Sequence, residues 1–310
     1  MGILAVLSGI GIGFLGKSES SVSITWAVLR DKIRLAHETA RTSGRPTTVE
    51  MIQSEDGSRV LRGKTLAVVG QWHLEADERP FADLVPELRG VIDQDGRFGA
   101  CMRPDADQEE SLFSLSTAGI ARFDLIDGFA MQVEVFLDVR DKCVVVTMDS
   151  GNTFHLELDE DLVPMARMHL SVGGGQRGRS VELVAKDHAL PLSRWVTLGI
   201  YHDGREFALT VGNEVVARSP AQGEPYQNRQ GGLFEISPRG SLVPGKVDEI
   251  QLLAYERGEP VLLSNDVDVA GLDQPVLFDR AGNLLAPVTI QVSLGELKES
   301  RTVAPGGVLK

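Results

Sequence analysis

Val22, Trp26, Leu29, Ile33, Ala36 and Ala40 recur at spacings of four, three, four, three and four, the repeat of a single helical face. Asp31, Lys32, Arg34, Glu38 and Arg41 occupy much of the complementary surface, and Gly44 with Pro46 supplies a stop. The pattern predicts an amphipathic helix over residues 21–43. Such a stripe suits a stalk packing against neighbouring helices in an assembly, and it equally suits a helix lying on its own domain's sheet. The spacing leaves both readings open.

Beyond Pro46 the chain turns to short runs rich in Val, Leu, Ile and Phe, separated by Gly, Asp and Asn. Strands are expected at 47–52, 132–138, 143–148, 153–158, 169–172, 180–185, 195–202, 206–211, 214–218, 232–236 and 246–255. Turn residues fall between many of them: Ser150-Gly151-Asn152, Gly173-Gly174-Gly175, Asp203-Gly204 and Gly212-Asn213. Asp-Gly between two apolar runs is a hairpin signal because Gly tolerates positive φ. Many short antiparallel strands without intervening helices predict a mainly β sandwich or jelly roll.

Ahead of the helix, residues 3–15 carry no charge over 13 positions. A transmembrane helix needs about 20 apolar residues. A secretory signal shows a basic start, whereas the first basic residue here is Lys17. Three readings stay open: the lower part of a membrane helix, a degenerate signal or anchor, or a buried segment of a folded body.

Charge narrows the partners. Thirty-one Lys plus Arg against 44 Asp plus Glu leaves a net charge of −13, which argues against a general nucleic-acid binder. Hydrophobic residues make up 42% of the chain, enough for a sizeable core and too many for a disordered acidic segment. Cys101 and Cys143 allow one disulfide or two buried thiols. The six histidines are scattered without metal-ligand spacing, so a zinc site is not expected.

The segment from about Val69 to Tyr255 resembles a laminin-G-like, concanavalin A-like jelly roll. The resemblance rests on five motifs in order: Gly70-Gln71-Trp72-His73-Leu74, Gly96-Arg97-Phe98-Gly99-Ala100, Phe129-Ala130-Met131, the ribbon from Trp195 through Asp203-Gly204 to Gly212-Asn213, and Gly245-Lys246-Val247-Asp248-Glu249-Ile250. In the ribbon the family's final Asn-Gly is reversed. The flanks resemble minor pseudopilins of type II secretion (GspH-like). There Ala36 to Thr47 matches the stalk-to-sheet junction, while 276–283, 288–292 and 301–307 match the closing strands. The pseudopilin Gly-Phe junction is followed by a glutamate at the fifth position. Here Gly13-Phe14 places Ser18 at that position and Glu19 one beyond it.

Jelly rolls of this kind include glycoside hydrolases whose retaining members resemble E-x-D-x-x-E on one strand, a spacing that points the carboxylates to one face. The nearest run, Glu157-Leu158-Asp159-Glu160-Asp161-Leu162, ends on leucine, so it reads as a solvated strand end and turn. No nucleophile elbow and no phosphate loop occurs, and Gly173-Gly174-Gly175 reads as a hairpin tip. The resemblance implies that Asp248-Glu249 belongs to a framework strand bonding a neighbouring loop. It also implies calcium at a loop rim, for which Asp127, Asp141, Asp203 and Asp248 are the candidates; solvated turn acids are the alternative. Trp72 and Trp195 sit in framework motifs and are expected in the core.

Together these readings divide the chain into an apolar leader or truncated membrane segment (1–16), a pilin-like helix with first strands (17–65), the jelly roll (66–257) and closing pilin-like strands (258–310). The expected fold is an antiparallel concanavalin A-like jelly-roll sandwich, preceded by an amphipathic helix with a small pilin-like sheet. The expected function is non-enzymatic recognition of a carbohydrate or protein surface in the cell envelope or outside it, with Asp203, Arg205, Gln227 and Asn228 as contacts. Calcium is the cofactor considered, and residues 3–15 would contact a membrane, possible anchorage being to the inner one. Two alternatives stand beside this reading. One is a structural or tip subunit of a pseudopilus or fibre that meets other pilin-like subunits through Val22, Trp26, Leu29, Ile33, Ala36 and Ala40. The other is a divergent glycan-active enzyme.

Overall fold

A computed structural model describes residues 2–53, 57–74, 84–105, 107–172, 176–212, 214–228, 230–273, 275–279 and 281–310, with side chains from residue 21 onward. The chain forms two units, one from Met1–Leu66 with Glu256–Lys310 and the other from Ala67–Tyr255.

In the first unit the helix runs from Gly2 to Ser43. It starts well before the predicted residue 21, and the side chains of the apolar 3–15 stretch lie outside the described residues. Among the described residues no helix is long and apolar enough to cross a membrane. All six stripe residues are buried, Leu29, Ile33 and Ala40 completely. They pack with Val49, Leu61, Val276, Phe278, Ile290 and Val303 in one core. Of the two uses open to the stripe, the side chains serve packing on the unit's own sheet. That burial leaves them no surface to offer a neighbouring subunit.

The helix stops where the sequence placed the stop. Gly44 adopts φ +65°, and its N–H donates to the Ala40 carbonyl at 2.9 Å, the left-handed cap that glycine enters without steric cost. The Thr47 hydroxyl then donates to the Ala36 carbonyl at 2.7 Å and ties the first strand to the helix. That strand, Thr47–Gln53, pairs antiparallel with Arg59–Trp72 and with Val276–Phe278. A second sheet orders Asp268–Ala270, Val288–Leu294, Leu297–Ala304 and Val308–Leu309.

The second unit is an antiparallel jelly-roll sandwich of the concanavalin A-like kind. One sheet runs in the order Glu214–Pro220, Glu206–Val211, Trp195–His202, Phe129–Leu137, Gly245–Arg257 and the later part of Arg59–Trp72. The other has seven strands, in the order Arg177–Val184, Pro164–Ser171, Phe154–Leu158, Cys143–Met148, Leu233–Ile236, Phe113–Ser116 and Glu87–Leu88. Alternation decides which side chains meet between the sheets. Phe129, Met131, Val133, Val135 and Leu137 point inward from one strand, and Phe154, Leu156 and Leu158 from the facing sheet. The rings of Phe129 and Phe154 stack at 4.8 Å, and Trp72 meets Phe113 edge-on at 5.1 Å.

Trp195 does not join the core: it pairs in register with Phe136 on the outward face and lies tilted against that ring, with centroids 5.6 Å apart. Cys101 and Cys143 are both buried and free, so no bridge forms. The Gly173–Gly175 tip and Asn213 of the Gly-Asn turn lie outside the described residues.

Candidate functional site

Several connections meet at one end of the sandwich. The turn after Cys143–Met148 begins with Asp149 and Ser150, both at positive φ, followed by Gly151 at +82°. This tight reversal starts Thr153 back into the sheet, with its N–H donating to the Met148 carbonyl. Opposite, Glu224–Tyr226 runs antiparallel to the end of Pro164–Ser171, through Ser171 N–H to Glu224 O (2.8 Å) and Tyr226 N–H to His169 O (2.7 Å). The Gln227 side-chain amide reaches the Phe123 carbonyl at 2.6 Å and joins this segment to the loop before Phe129. Gly232 permits a close approach: a Cβ there would stand 2.7 Å from Asp149 Oδ1.

These loops line a cavity of about 460 Å³ that opens to solvent. Ile120, Phe123 and Met148 supply its apolar lining, and Asp124, Asp149, Thr153, Ser171, Glu224, Gln227 and Asn228 its polar groups. Thr153 is 1% exposed, and its hydroxyl has no hydrogen-bond partner. A buried hydroxyl left unpaired costs roughly 1–3 kcal/mol, and the folded chain supplies this one with no partner. The described lining residues include three carboxylates and no Lys or Arg. Such a wall accepts hydrogen bonds from hydroxyl or amine donors and repels anions.

Of the four contact residues expected from sequence, Gln227 and Asn228 line this cavity. The Asn228 side-chain amide lies 3.4 Å from Asp149 Oδ1. Asp203 and Arg205 do not line it. The Asp203 carboxylate accepts the N–H groups of Arg205 (2.9 Å) and Glu206 (2.8 Å), closing its own hairpin. That hairpin pins the chain just ahead of Glu224, through Ala221 N–H to Arg205 O and Gly223 N–H to Gly204 O.

The calcium candidates do not converge. Asp127 and Asp203 sit near the cavity end, Asp141 lies in the connection beyond the opposite end of Phe129–Leu137, and Asp248 is within the Gly245–Arg257 strand. Among the described residues no group of three His, Cys, Asp or Glu side chains stands together to hold a metal ion. Asp248 is instead 1% exposed and accepts the Arg97 N–H, bonding the neighbouring loop as the framework resemblance implies.

The glycosidase-like run is a turn. Asp159 Oδ1 accepts the N–H groups of Asp161 and Val163, and Leu162, at φ +62°, is fully buried where a third acid would be required. Asp124, Asp149, Thr153, Ser171 and Glu224 are not among the residues expected from sequence. Their only signal was the Ser150-Gly151-Asn152 turn, which marks a reversal without saying which other loop it faces.

No family model matches the chain, and no curated protein shows detectable sequence similarity to it. Among solved structures, it is similar to the botulinum neurotoxin serotype G binding domain, at 4% identity over 60% of this chain and 47% of that one, with a TM-score of 0.43. It is also similar to domain 4 of AbnA, a GH43 extracellular arabinanase from Geobacillus stearothermophilus, in complex with arabinotriose, at 9% identity over 64% of this chain and 95% of that one (TM-score 0.40). The Caenorhabditis elegans galectin LEC-6 matches at 15% identity over 42% of this chain and 84% of its own (TM-score 0.28). The chain thus spans about half the length of the first of these structures.

Proposed function

We propose that this chain is a non-catalytic, envelope-associated protein that binds carbohydrate in the end cavity of its jelly roll. The observation that carries the reading is the unpartnered Thr153 hydroxyl beside apolar Phe123 and Met148. A sugar ring offers both a C–H face and hydroxyls, so one ligand satisfies both kinds of wall. The carboxylates of Asp124, Asp149 and Glu224 favour a neutral sugar, whose hydroxyls donate, over an acidic one.

A glycan array probed with the full chain tests this. Binding to neutral glycans, weakened by Thr153→Val and by Gln227→Ala, supports the reading. Absence of binding with and without calcium sinks it, and release of cleaved product transfers the site to an enzyme.

The helix is continuous from Gly2 to Ser43, while its buried stripe lies between Val22 and Ala40. This arrangement supports a pilin-like role in which the apolar start serves as an anchor. Membrane fractionation of cells expressing the full chain and a chain lacking residues 1–16 decides it, since equal recovery in the soluble fraction removes the anchor.

A further inference from the structure

The outward face of the seven-stranded sheet carries a second polar constellation. Strand register places Arg167 directly opposite His155, and His155 opposite Thr147. All three converge beneath the turn that follows Met148. A Cβ built on Gly151 would stand 3.4 Å from His155 Nδ1, 3.6 Å from Thr147 Oγ1 and 3.8 Å from a terminal nitrogen of Arg167. Thr147 is 4% exposed with an unpartnered hydroxyl, and Arg167 Nε and the nearby His169 Nδ1 are also buried without partners.

The unpaired arginine is the informative member. A guanidinium carries five N–H donors and no acceptor, and leaving a half-buried cation without an acceptor is costly. Acids outnumber bases by 13 in this chain, so partners are not scarce. Glu182 stands opposite Arg167 on the neighbouring strand, yet no ion pair joins the two. His155 supplies the complement. Its Nε2 lies 3.3 Å from Glu157 Oε2, so Nε2–H donates there and the Nδ1 lone pair faces the constellation. Burial holds this imidazole below its ordinary pKa, against the opposing pull of Glu157, which favours the neutral ring that offers Nδ1 as an acceptor. The histidine side chain is 17% exposed.

We propose that Arg167, His155 and Thr147 form a binding site for a sugar acid, with the ligand carboxylate on the Arg167 guanidinium and a neighbouring hydroxyl donating to His155 Nδ1. The planar guanidinium matches a carboxylate through two parallel hydrogen bonds. A neutral sugar lacks the anion, and a simple oxyanion lacks the donor. The site is separate from the end cavity: Asp149 and Thr153 of the intervening turn line the cavity, whereas Gly151 faces this constellation. It extends glycan recognition to a second ligand class and stands whether or not the cavity binds.

The test titrates the full, nitrogen-15-labelled chain with sodium glucuronate, glucose and sodium sulfate, each against sodium chloride of equal ionic strength. The readout is the Arg167 Nε–H resonance, identified by its loss in Arg167→Gln. Glucuronate is expected to give a saturable shift, and Arg167→Gln and Thr147→Val, followed through the His155 ring resonances, are expected to weaken it about tenfold or more. Gln227→Ala should leave it unchanged, which separates this site from the cavity. Thr147→Val is nearly isosteric and preserves the measurement should Arg167→Gln fold poorly. A glucuronate response no larger than that of chloride or glucose, saturation by sulfate alone, or full affinity in the variants overturns the assignment.

Discussion

Asp248 and Arg97, 151 positions apart in the chain, are joined by a 2.8 Å hydrogen bond from the Arg97 backbone N–H to Asp248 Oδ2. The other carboxylate oxygen accepts the N–H of Glu249, also at 2.8 Å, where the strand bulges and Glu249 takes φ +47°. One buried side chain therefore fixes both a bulge and the loop carried by Gly96–Gly99.

Burial pushes the Asp248 carboxyl up to about 6, despite the backbone donors that oppose the rise. Between about pH 4 and pH 6 the folded chain holds a proton that the unfolded chain has released, so this residue's contribution to stability declines as pH rises through that window. Asp248→Asn removes the titration. The stability gap between wild type and variant should be wider at about pH 4.5 than at about pH 7 in urea unfolding; a gap that does not change means that Asp248 does not titrate there.

Thr153→Val should separate function from folding. Exchanging an unpartnered buried hydroxyl for a methyl of similar shape is expected to leave stability unchanged or raise it by about 1 kcal/mol. Carbohydrate binding should fall in the same protein. Destabilisation by more than about 1 kcal/mol in urea would mean that the hydroxyl has a structural partner.

The helix stripe makes a sharper demand. Leu29 is fully buried, so Leu29→Ala is expected to cost about 2–5 kcal/mol. Ile24 is 62% exposed, and Ile24→Ala should lie within about 0.5 kcal/mol of wild type. Paired denaturation curves check both, and a mild Leu29 variant would contradict the packing described.

Burial pushes the Cys101 thiol up to about 11 and the Cys143 thiol up to about 12. Because the thiolate is the nucleophile, neither should react with an aromatic disulfide reagent in the folded protein at about pH 8. Both should react after unfolding in urea. Prompt labelling of the native chain would show that the core opens far more readily than its packing implies.

Where hydrophobicity and β-propensity agree, the strands are legible residue by residue. Cys143–Met148, Trp195–His202 and Glu206–Val211 occur as expected. The strand Pro164–Ser171 alternates buried and half-buried positions throughout, yet the sequence signals a strand only over 169–172. Its Met, Ala and Arg side chains carry weak β-propensity, so packing rather than local preference decides it. Trp195 shows the reverse failure: an aromatic in a framework motif reads as core, but the pleat turns it outward beside Phe136.

The candidate sites were legible only in part for a related reason. Gln227 and Asn228 could be chosen as loop residues, but nothing local says that they face Asp149 and Thr153. Arg167, His155 and Thr147 are each ordinary polar positions in alternating strands, and only register makes them neighbours. The helix stripe and its glycine stop, the alternation of most strands, and the missing carboxylate at Leu162 can be read directly from the chain, because each depends on residues a few positions apart. Which loops close the cavity, which polar groups stay unpaired and which side of the sheet Trp195 occupies were decided by tertiary structure. Those relationships are set by strand pairing and loop closure between distant segments, and no local period encodes them.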